Sequence, residues 1–157
     1  MSRLTPISIL ALFAVLIAPL SAAVPPPPAL SPLESALKTG LSAFESGDHR
    51  AATTAFRKLA NQNVPVAETL LGTMAANGQG VPKDDAVAAA WFMRAARHGY
   101  APAQMALADA FAKGRGVPQN QARAMALAKA AAAQNQPGAA QWIALQSPPT
   151  LALNKPR

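Results

Sequence analysis

The feature that most constrains this chain is a five-residue pattern, Gly-x-Gly-Val-Pro, that occurs twice. It occupies Gly78–Pro82 and, thirty-six residues later, Gly114–Pro118. Two copies at a fixed spacing indicate an array of structural repeats, each of which packs only on its neighbours. Such arrays usually present surfaces for interaction, so we expect the sequence to reveal the type of protein more clearly than its partner.

The same spacing of thirty-six relates residues that begin and end helices. Short polar side chains that can accept an orphan backbone N–H recur where a second helix should begin. Asparagine or glycine, which best tolerate a left-handed backbone, recurs where that helix should end. The start positions are Asp48, Asp84 and Asn120, and the end positions are Asn63, Gly99 and Asn135.

Apolar residues between these signals recur every three or four positions, which predicts amphipathic helices. The chain contains 39 alanines but only two Trp, one Tyr and five Phe, which favours closely packed helices around a thin core. We therefore predict an all-α fold, an α-solenoid of helix-turn-helix repeats. The first predicted stripe is Leu33, Ala36, Leu37, Gly40, Leu41 and Phe44, and the last is Ala139, Trp142, Ile143 and Leu145.

The two ends of the chain have a different character. Residues 1–23 combine Arg3, an apolar run from Ile7 to Ala18 and the small residues Ser21-Ala22-Ala23, a pattern typical of a signal peptide. We expect an exported protein, periplasmic or secreted after cleavage near Ala23; the alternative is an uncleaved membrane anchor. The predicted organisation is a signal peptide (1–23), a proline-rich linker (24–32), a tetratricopeptide-like first repeat (33–66), two further repeats (67–102 and 103–138), a partial capping helix (139–147) and a flexible tail (148–157).

The repeat pattern resembles the Sel-one-like repeat family, a relative of the tetratricopeptide repeats. The second copy is degenerate, because Ala108, Asn120 and Leu127-Ala128 stand where the first has Gly72, Asp84 and Trp91-Phe92. The resemblance implies a helical adaptor with a concave binding side. It rests on Ala67-x-x-x-Leu71-Gly72, Gly78-x-Gly80-Val81-Pro82-x-Asp84, Trp91-Phe92-x-x-Ala95-Ala96 and Gly99.

The residues that could carry chemistry form no recognisable catalytic, metal or cofactor site. The absence of cysteine excludes disulfides and thiolate ligands. His49 and His98 lack metal-ligand spacing, and Gly78-x-Gly80 lacks the Gly-Lys-Ser/Thr ending of a phosphate-binding loop. Asp84 and Asp85 are adjacent on a helix, so their carboxylates point apart. The sequence predicts that the protein is not an enzyme and has no cofactor.

Charge is distributed unevenly along the chain. It carries 14 Lys+Arg against 7 Asp+Glu, and the half after residue 87 contains Asp109 as its only acid. This excess suggests an acidic partner or an anionic envelope surface. Nucleic acid is not expected, because surface aromatic residues are not interleaved with the basic ones.

The predicted partner-binding groove lies on the first helix of each repeat, opposite the buried stripe. There a protein or peptide partner would dock. The alternative is a protein that contacts peptidoglycan, anionic lipid or an acidic partner through its basic C-terminal half, or a subunit of an oligomer or complex. The candidate groove residues are Thr69, Thr73 and Asn77 on one helix, Met105, Asp109 and Lys113 on the next, and Leu41 and Phe44 as an extension.

Overall fold

The computed structural model describes residues 31–147, which form seven α-helices. The predicted signal peptide, nearly all of the predicted linker and the predicted tail lie outside the described residues. The helices are α1 (Pro32–Glu45), α2 (His49–Ala60), α3 (Pro65–Asn77), α4 (Asp85–Arg97), α5 (Ala101–Lys113), α6 (Gln121–Ala133) and α7 (Ala139–Gln146).

The helices pack in sequential pairs. The most extensive contacts join α3 to α4, α5 to α6 and α1 to α2, and smaller contacts join each pair to the next. The last helix, α7, packs on α6 and has no helix after it among residues 31–147. This arrangement is an α-solenoid of helix-turn-helix repeats, which confirms the predicted fold class.

The helix starts follow from the predicted capping residues. Asp48 Oδ1 accepts a hydrogen bond from the backbone N–H of Ala51. Asp84 Oδ1 accepts two, from the N–H groups of Ala86 and Val87, and Asn120 Oδ1 accepts one from the N–H of Arg123. Each bond satisfies a donor that the first turn of a helix would otherwise leave unpaired.

The Gly-x-Gly-Val-Pro loops both end a helix and join neighbouring repeats. Gly78 ends α3 in the left-handed conformation, with a φ of 71°. The second glycine of each loop also has positive φ, and a Cβ atom there would collide with the backbone of the preceding repeat. Gly80 lies against His49 at the start of α2, and Gly116 lies against Asp85 at the start of α4. The loop is therefore a junction between repeats as well as a turn.

Within each pair, the helices approach closely where a glycine faces a phenylalanine. Gly72 on α3 lies under the ring of Phe92 on α4, and Gly40 on α1 lies under the ring of Phe56 on α2. In the third pair the register-equivalent positions both carry alanine, Ala108 and Ala128, and both are fully buried. The crossing is thus filled either by glycine and a ring or by two methyl groups.

A buried carboxylate at the junction of the first two repeats was not predicted. The side chain of Glu68 on α3 is fully buried, and Arg94 Nε lies 2.6 Å from its Oε1. The two charges are close, but within residues 31–147 neither carboxylate oxygen of Glu68 has a hydrogen-bond partner; His98 Nε2 lies 4.0 Å from Oε2. The Arg94 guanidinium also donates to the carbonyl of Ala60 and to Oδ1 of Asn63, which ties α4 to the end of α2.

The equivalent contact in the next repeat is neutral. Gln104 occupies the position of Glu68, and its Oε1 accepts a hydrogen bond from Nε2 of Gln134 at 3.0 Å. Ala130 occupies the position of Arg94. The equivalent contacts within the α3–α4 and α5–α6 pairs therefore differ in chemistry, charged in the first pair and neutral in the second.

Some residues of the predicted apolar stripes are exposed at the two ends of the array. Leu33 and Leu41 on α1 are 43% and 37% exposed, and Leu145 on α7 is 76% exposed. Terminal helices have a neighbour on one side only, so their stripes are incompletely covered. Among residues 31–147, no helix has both the length and the apolar character needed to cross a membrane.

Candidate partner-binding cleft

A cleft of about 260 Å³ lies where α3, α4 and α5 meet the second Gly-x-Gly-Val-Pro loop. The α4 part of its lining is largely apolar and buried, and includes Ala88, Ala89 and Phe92. Thr73 on α3 and Asp109 on α5 contribute polar groups to the same lining. The cleft therefore combines an apolar surface with hydrogen-bonding side chains, a combination typical of recognition sites.

Polar groups around the cleft retain hydrogen-bonding capacity. The Thr73 hydroxyl donates to the carbonyl of Thr69, which leaves its lone pairs able to accept. The amide of Asn77 donates to Oε1 of Gln79 at 3.2 Å, and its own carbonyl oxygen can still accept. Both side chains are exposed, so a ligand in the cleft could reach them.

The charged end of the cleft is built around Asp109. Lys113 Nζ lies 2.7 Å from Asp109 Oδ1, one helical turn further along α5. Arg115 contacts the other carboxylate oxygen, because the left-handed turn at Gly114 brings the chain back toward α5. The carboxylate of Asp109 thus faces two cations, and Asp85 adds a second carboxylate to the lining, so the charges around the cleft balance.

The structure brings together part of the predicted groove. Thr73, Asn77 and Asp109 line the one cleft, and Lys113 pairs with Asp109 beside it. Thr69 is half-buried and does not line the cleft; its hydroxyl donates to the carbonyl of Pro65.

The other three predicted residues lie elsewhere. Met105 is half-buried and packs against Ala101, Ala131 and Ala139. On α1, Leu41 is exposed, while Phe44 packs against the buried residues of α2 and α3, and its ring centroid lies 5.0 Å from that of His49. None of the three lines the cleft.

Two charged residues of the cleft, Asp85 and Arg115, were missed by sequence reasoning. Asp85 follows the N-cap Asp84 and was interpreted only as a first-turn acid. Arg115 is the variable residue of the second Gly-x-Gly-Val-Pro loop. The sequence did contain a signal for Arg115. It follows Asp109 by six residues, and the loop that begins at Gly114 reverses the chain between them, so the two side chains can meet. Within residues 31–147, no group of three or more His, Asp or Glu side chains is placed to hold a metal ion.

The repeats identified by their geometry also match a known family. The model of the Sel1 repeat matches residues 65–100 and, immediately afterwards, residues 101–136. Residues 65–136 of this chain therefore comprise two Sel1 repeats. The two Sel1 repeats correspond to α3 with α4 and to α5 with α6. Proteins built from Sel1 repeats are typically scaffolds for protein interaction, and the fold is generally non-catalytic.

Solved Sel1 repeat structures superpose on the chain. A Sel1 repeat protein from Oxalobacter formigenes is 29% identical, with a TM-score of 0.66 over 69% of this chain and 45% of that one. A protective antigen present in uropathogenic Escherichia coli strains, which displays an SLR fold, is 26% identical, with a TM-score of 0.68 over 73% of this chain and 25% of that one. The chain therefore spans less than half the length of either protein.

A third similar structure supports the fold alone. Cysteine-rich protein B of Helicobacter pylori is 19% identical, with a TM-score of 0.57 over 70% of this chain and 93% of that one. No curated protein sequence matches the chain significantly. The comparisons thus establish two Sel1 repeats and the fold, while the partner has to be argued from this chain's own residues.

Proposed function

We propose that this chain is an exported, non-enzymatic adaptor that binds a protein or peptide partner in the concave groove of its Sel1 repeats. The observation that supports this proposal best is the cleft between α3, α4 and α5, into which Thr73, Asn77 and Asp109 project from two consecutive first helices. Polar side chains that lie on the same face of successive repeats can together contact one extended or helical peptide.

The chemistry of the cleft suits an extended or helical peptide. The apolar surface around Phe92 can take an aliphatic side chain, and the free acceptors of Thr73 and Asn77 can take backbone N–H groups. At the other end, Lys113 and Arg115 pair with Asp109, and Asp85 also lines the cleft, so a partner would meet charged groups of both signs there.

The test is capture of a partner by tagged protein, with a matched pair of substitutions. Thr73→Arg places a large cation at the cleft and should reduce capture at least about tenfold, because it blocks the apolar surface. The control is Thr54→Arg on α2. Thr54 is an exposed helical threonine whose hydroxyl likewise donates to the carbonyl four residues earlier, at the same distance of 3.0 Å. Equal capture by both variants would refute the groove assignment.

Export is the second part of the proposal, and it is supported by residues 1–23. The apolar run ends at Pro19, which is followed by small residues suited to cleavage near Ala23. Cell fractionation with N-terminal sequencing tests it. A mature chain that begins at or beside Val24 outside the cytoplasm is expected, and an intact leader on a membrane-bound protein would indicate the anchor instead.

The second candidate function is contact with an anionic envelope polymer, lipid or acidic partner through the basic half. The observation in its favour is that Arg97, Arg123 and Lys129 are exposed and form no ion pair within residues 31–147. However, Arg123 and Lys129 are six residues apart on α6, about 120° around the helix, and so do not form one face. Binding to anionic vesicles that vanishes as salt is raised would support this candidate.

A further inference from the structure

A second recess lies on a different part of the surface from the cleft and shares no lining residue with it. It has a volume of about 240 Å³ and lies between α2 and α4, above α3 and beside the first Gly-x-Gly-Val-Pro loop. Small-molecule pockets usually occupy about 300–1,000 Å³. The recess, like the cleft, is slightly below that range, and it has room for one large side chain. We call it the Trp91 notch, after the half-buried ring in its wall.

The next repeat shows what the same position holds when it is filled. Ala75 lines the notch, and the register-equivalent residue on α5 is Phe111. The phenyl ring of Phe111 is 5% exposed, and the guanidinium of Arg123 lies 5.6 Å from the ring centroid. Arg123 is itself equivalent to Val87, which also lines the notch. The α5–α6 repeat therefore has Phe111 with Leu127 at this place, whereas the α3–α4 repeat has Ala75 with Trp91 and leaves a recess beside the indole ring.

The walls of the notch are apolar. Leu71 is 3% exposed at its base, whereas Val87 is 45% exposed at its opening. The guanidinium of Arg94 lies 5.6 Å from the Trp91 ring. Because an exposed valine beside a half-buried tryptophan leaves apolar surface in contact with water, covering the notch with an aromatic ring would be favourable.

The charge at the opening indicates what accompanies the ring. Arg57 on α2 is exposed and forms no ion pair within residues 31–147. The only acid that lines the notch is Asp84, and its Oδ1 accepts the N–H groups of Ala86 and Val87 as the cap of α4. The guanidinium of Arg57 is thus the group available to a ligand, and it would pair with a carboxylate.

We propose that the Trp91 notch binds the aromatic side chain of a partner peptide in which an acidic residue neighbours the aromatic one. The ring would occupy the space that Phe111 fills in the next repeat, and the carboxylate would pair with Arg57. This site would act in addition to the cleft, so the adaptor would hold two segments on two parts of its surface.

The proposal is tested by nuclear magnetic resonance titration of isotope-labelled protein, expressed from the full-length sequence so that any processing occurs. The probe is the peptide Gly-Glu-Phe-Glu-Gly, compared with a peptide that has Ala in place of Phe. The indole N–H signal of Trp91, assigned with Trp91→Leu, should move saturably, while that of Trp142 should not. The Phe peptide should bind at least about tenfold more tightly than the Ala peptide.

Two substitutions copied from the next repeat sharpen the test. Ala75→Phe fills the notch from within, as Phe111 does, and should abolish the peptide-induced shift while the rest of the spectrum keeps its dispersion. Arg57→Met, which copies Met93, should weaken binding of the Glu-containing peptide about fivefold and leave a Gln-containing peptide unaffected. Because Arg57 is on the surface, this second variant remains informative if the first fails to fold.

The outcomes separate this proposal from the one for the cleft. Thr73→Arg should leave the Trp91 shift unchanged. The proposal is overturned if Trp91 does not respond, if the Phe and Ala peptides bind equally, or if the full-length chain already has the notch filled by its own residues 24–30. In the last case, the indole N–H signal of Trp91 would not respond to peptide in the full-length protein, and it would move when residues 24–30 are deleted.

Discussion

The close crossing of α3 and α4 allows a prediction whose sign depends on a second residue. A Cβ atom placed on Gly72 would lie 2.5 Å from Cε1 and 2.7 Å from Cδ1 of the Phe92 ring. Carbon atoms normally approach to about 3.5–4.0 Å, so the ring or the helix would have to move by about 1 Å. We therefore expect Gly72→Ala to force a rearrangement of a packed interior.

Two opposing effects set the magnitude. Overpacking a well-packed core costs about 1–3 kcal/mol. Replacing glycine by alanine within a helix stabilises it by about 1 kcal/mol. The free energy of unfolding should therefore fall by about 1 kcal/mol in Gly72→Ala when Phe92 is present. In a Phe92→Ala background, which itself costs about 3–5 kcal/mol, the obstacle is gone and the same substitution should stabilise by about 1 kcal/mol.

The assay is urea unfolding of the four proteins of this cycle, followed by circular dichroism. The double variant reproduces the Ala108 and Ala128 pair of the next repeat, so it should fold. The expected coupling is about 1–3 kcal/mol, well above the roughly 0.3–0.5 kcal/mol of ordinary non-additivity. If Gly72→Ala has the same effect in both backgrounds, then steric contact with Phe92 does not explain the glycine.

Further predictions concern the junctions and the caps. Gly116→Ala should destabilise the protein by at least about 1 kcal/mol more than Gly99→Ala. Both glycines have positive φ, but of the two only Gly116 lies against the backbone of a neighbouring repeat. Equal losses of melting temperature in the two variants would disprove the loop's role as a junction. Arg94→Ala should cost about 2 kcal/mol, because it removes the cation beside a buried carboxylate and the hydrogen bonds to Ala60 and Asn63. Adding Glu68→Gln should restore the part of this loss that comes from the buried charge, and no recovery in chemical denaturation would contradict this. Asp84→Ala should cost about 1–2 kcal/mol in thermal unfolding by removing the α4 cap, and Asp84→Asn should cost much less.

Features determined by local backbone chemistry were predictable from the sequence. The caps at Asp48, Asp84 and Asn120 depend on one side chain and the first turn that follows it. The left-handed residues Asn63 and Asn135 depend on the residue's own tolerance of positive φ. Because these signals recur every thirty-six residues, the helices, their pairing and the solenoid followed from the sequence as well.

Features that depend on contacts between distant segments were not predictable in the same way. Glu68 is an acid in the first turn of α3, a position at which acids are usually solvated, yet its side chain is fully buried. Its burial follows from Arg94, twenty-six positions away on another helix. The cleft likewise needs Arg115, whose position is set by the turn at Gly114.

The most direct test of the adaptor proposal is photo-cross-linking in living cells from two positions of the same protein. A photoreactive amino acid at position 77 would lie in the cleft, and one at position 54 on α2 would lie outside it. We expect a discrete cross-linked partner from position 77, lost on Thr73→Arg, and no such product from position 54. The same products from both positions, or none from position 77, would contradict the claim that this cleft binds the partner.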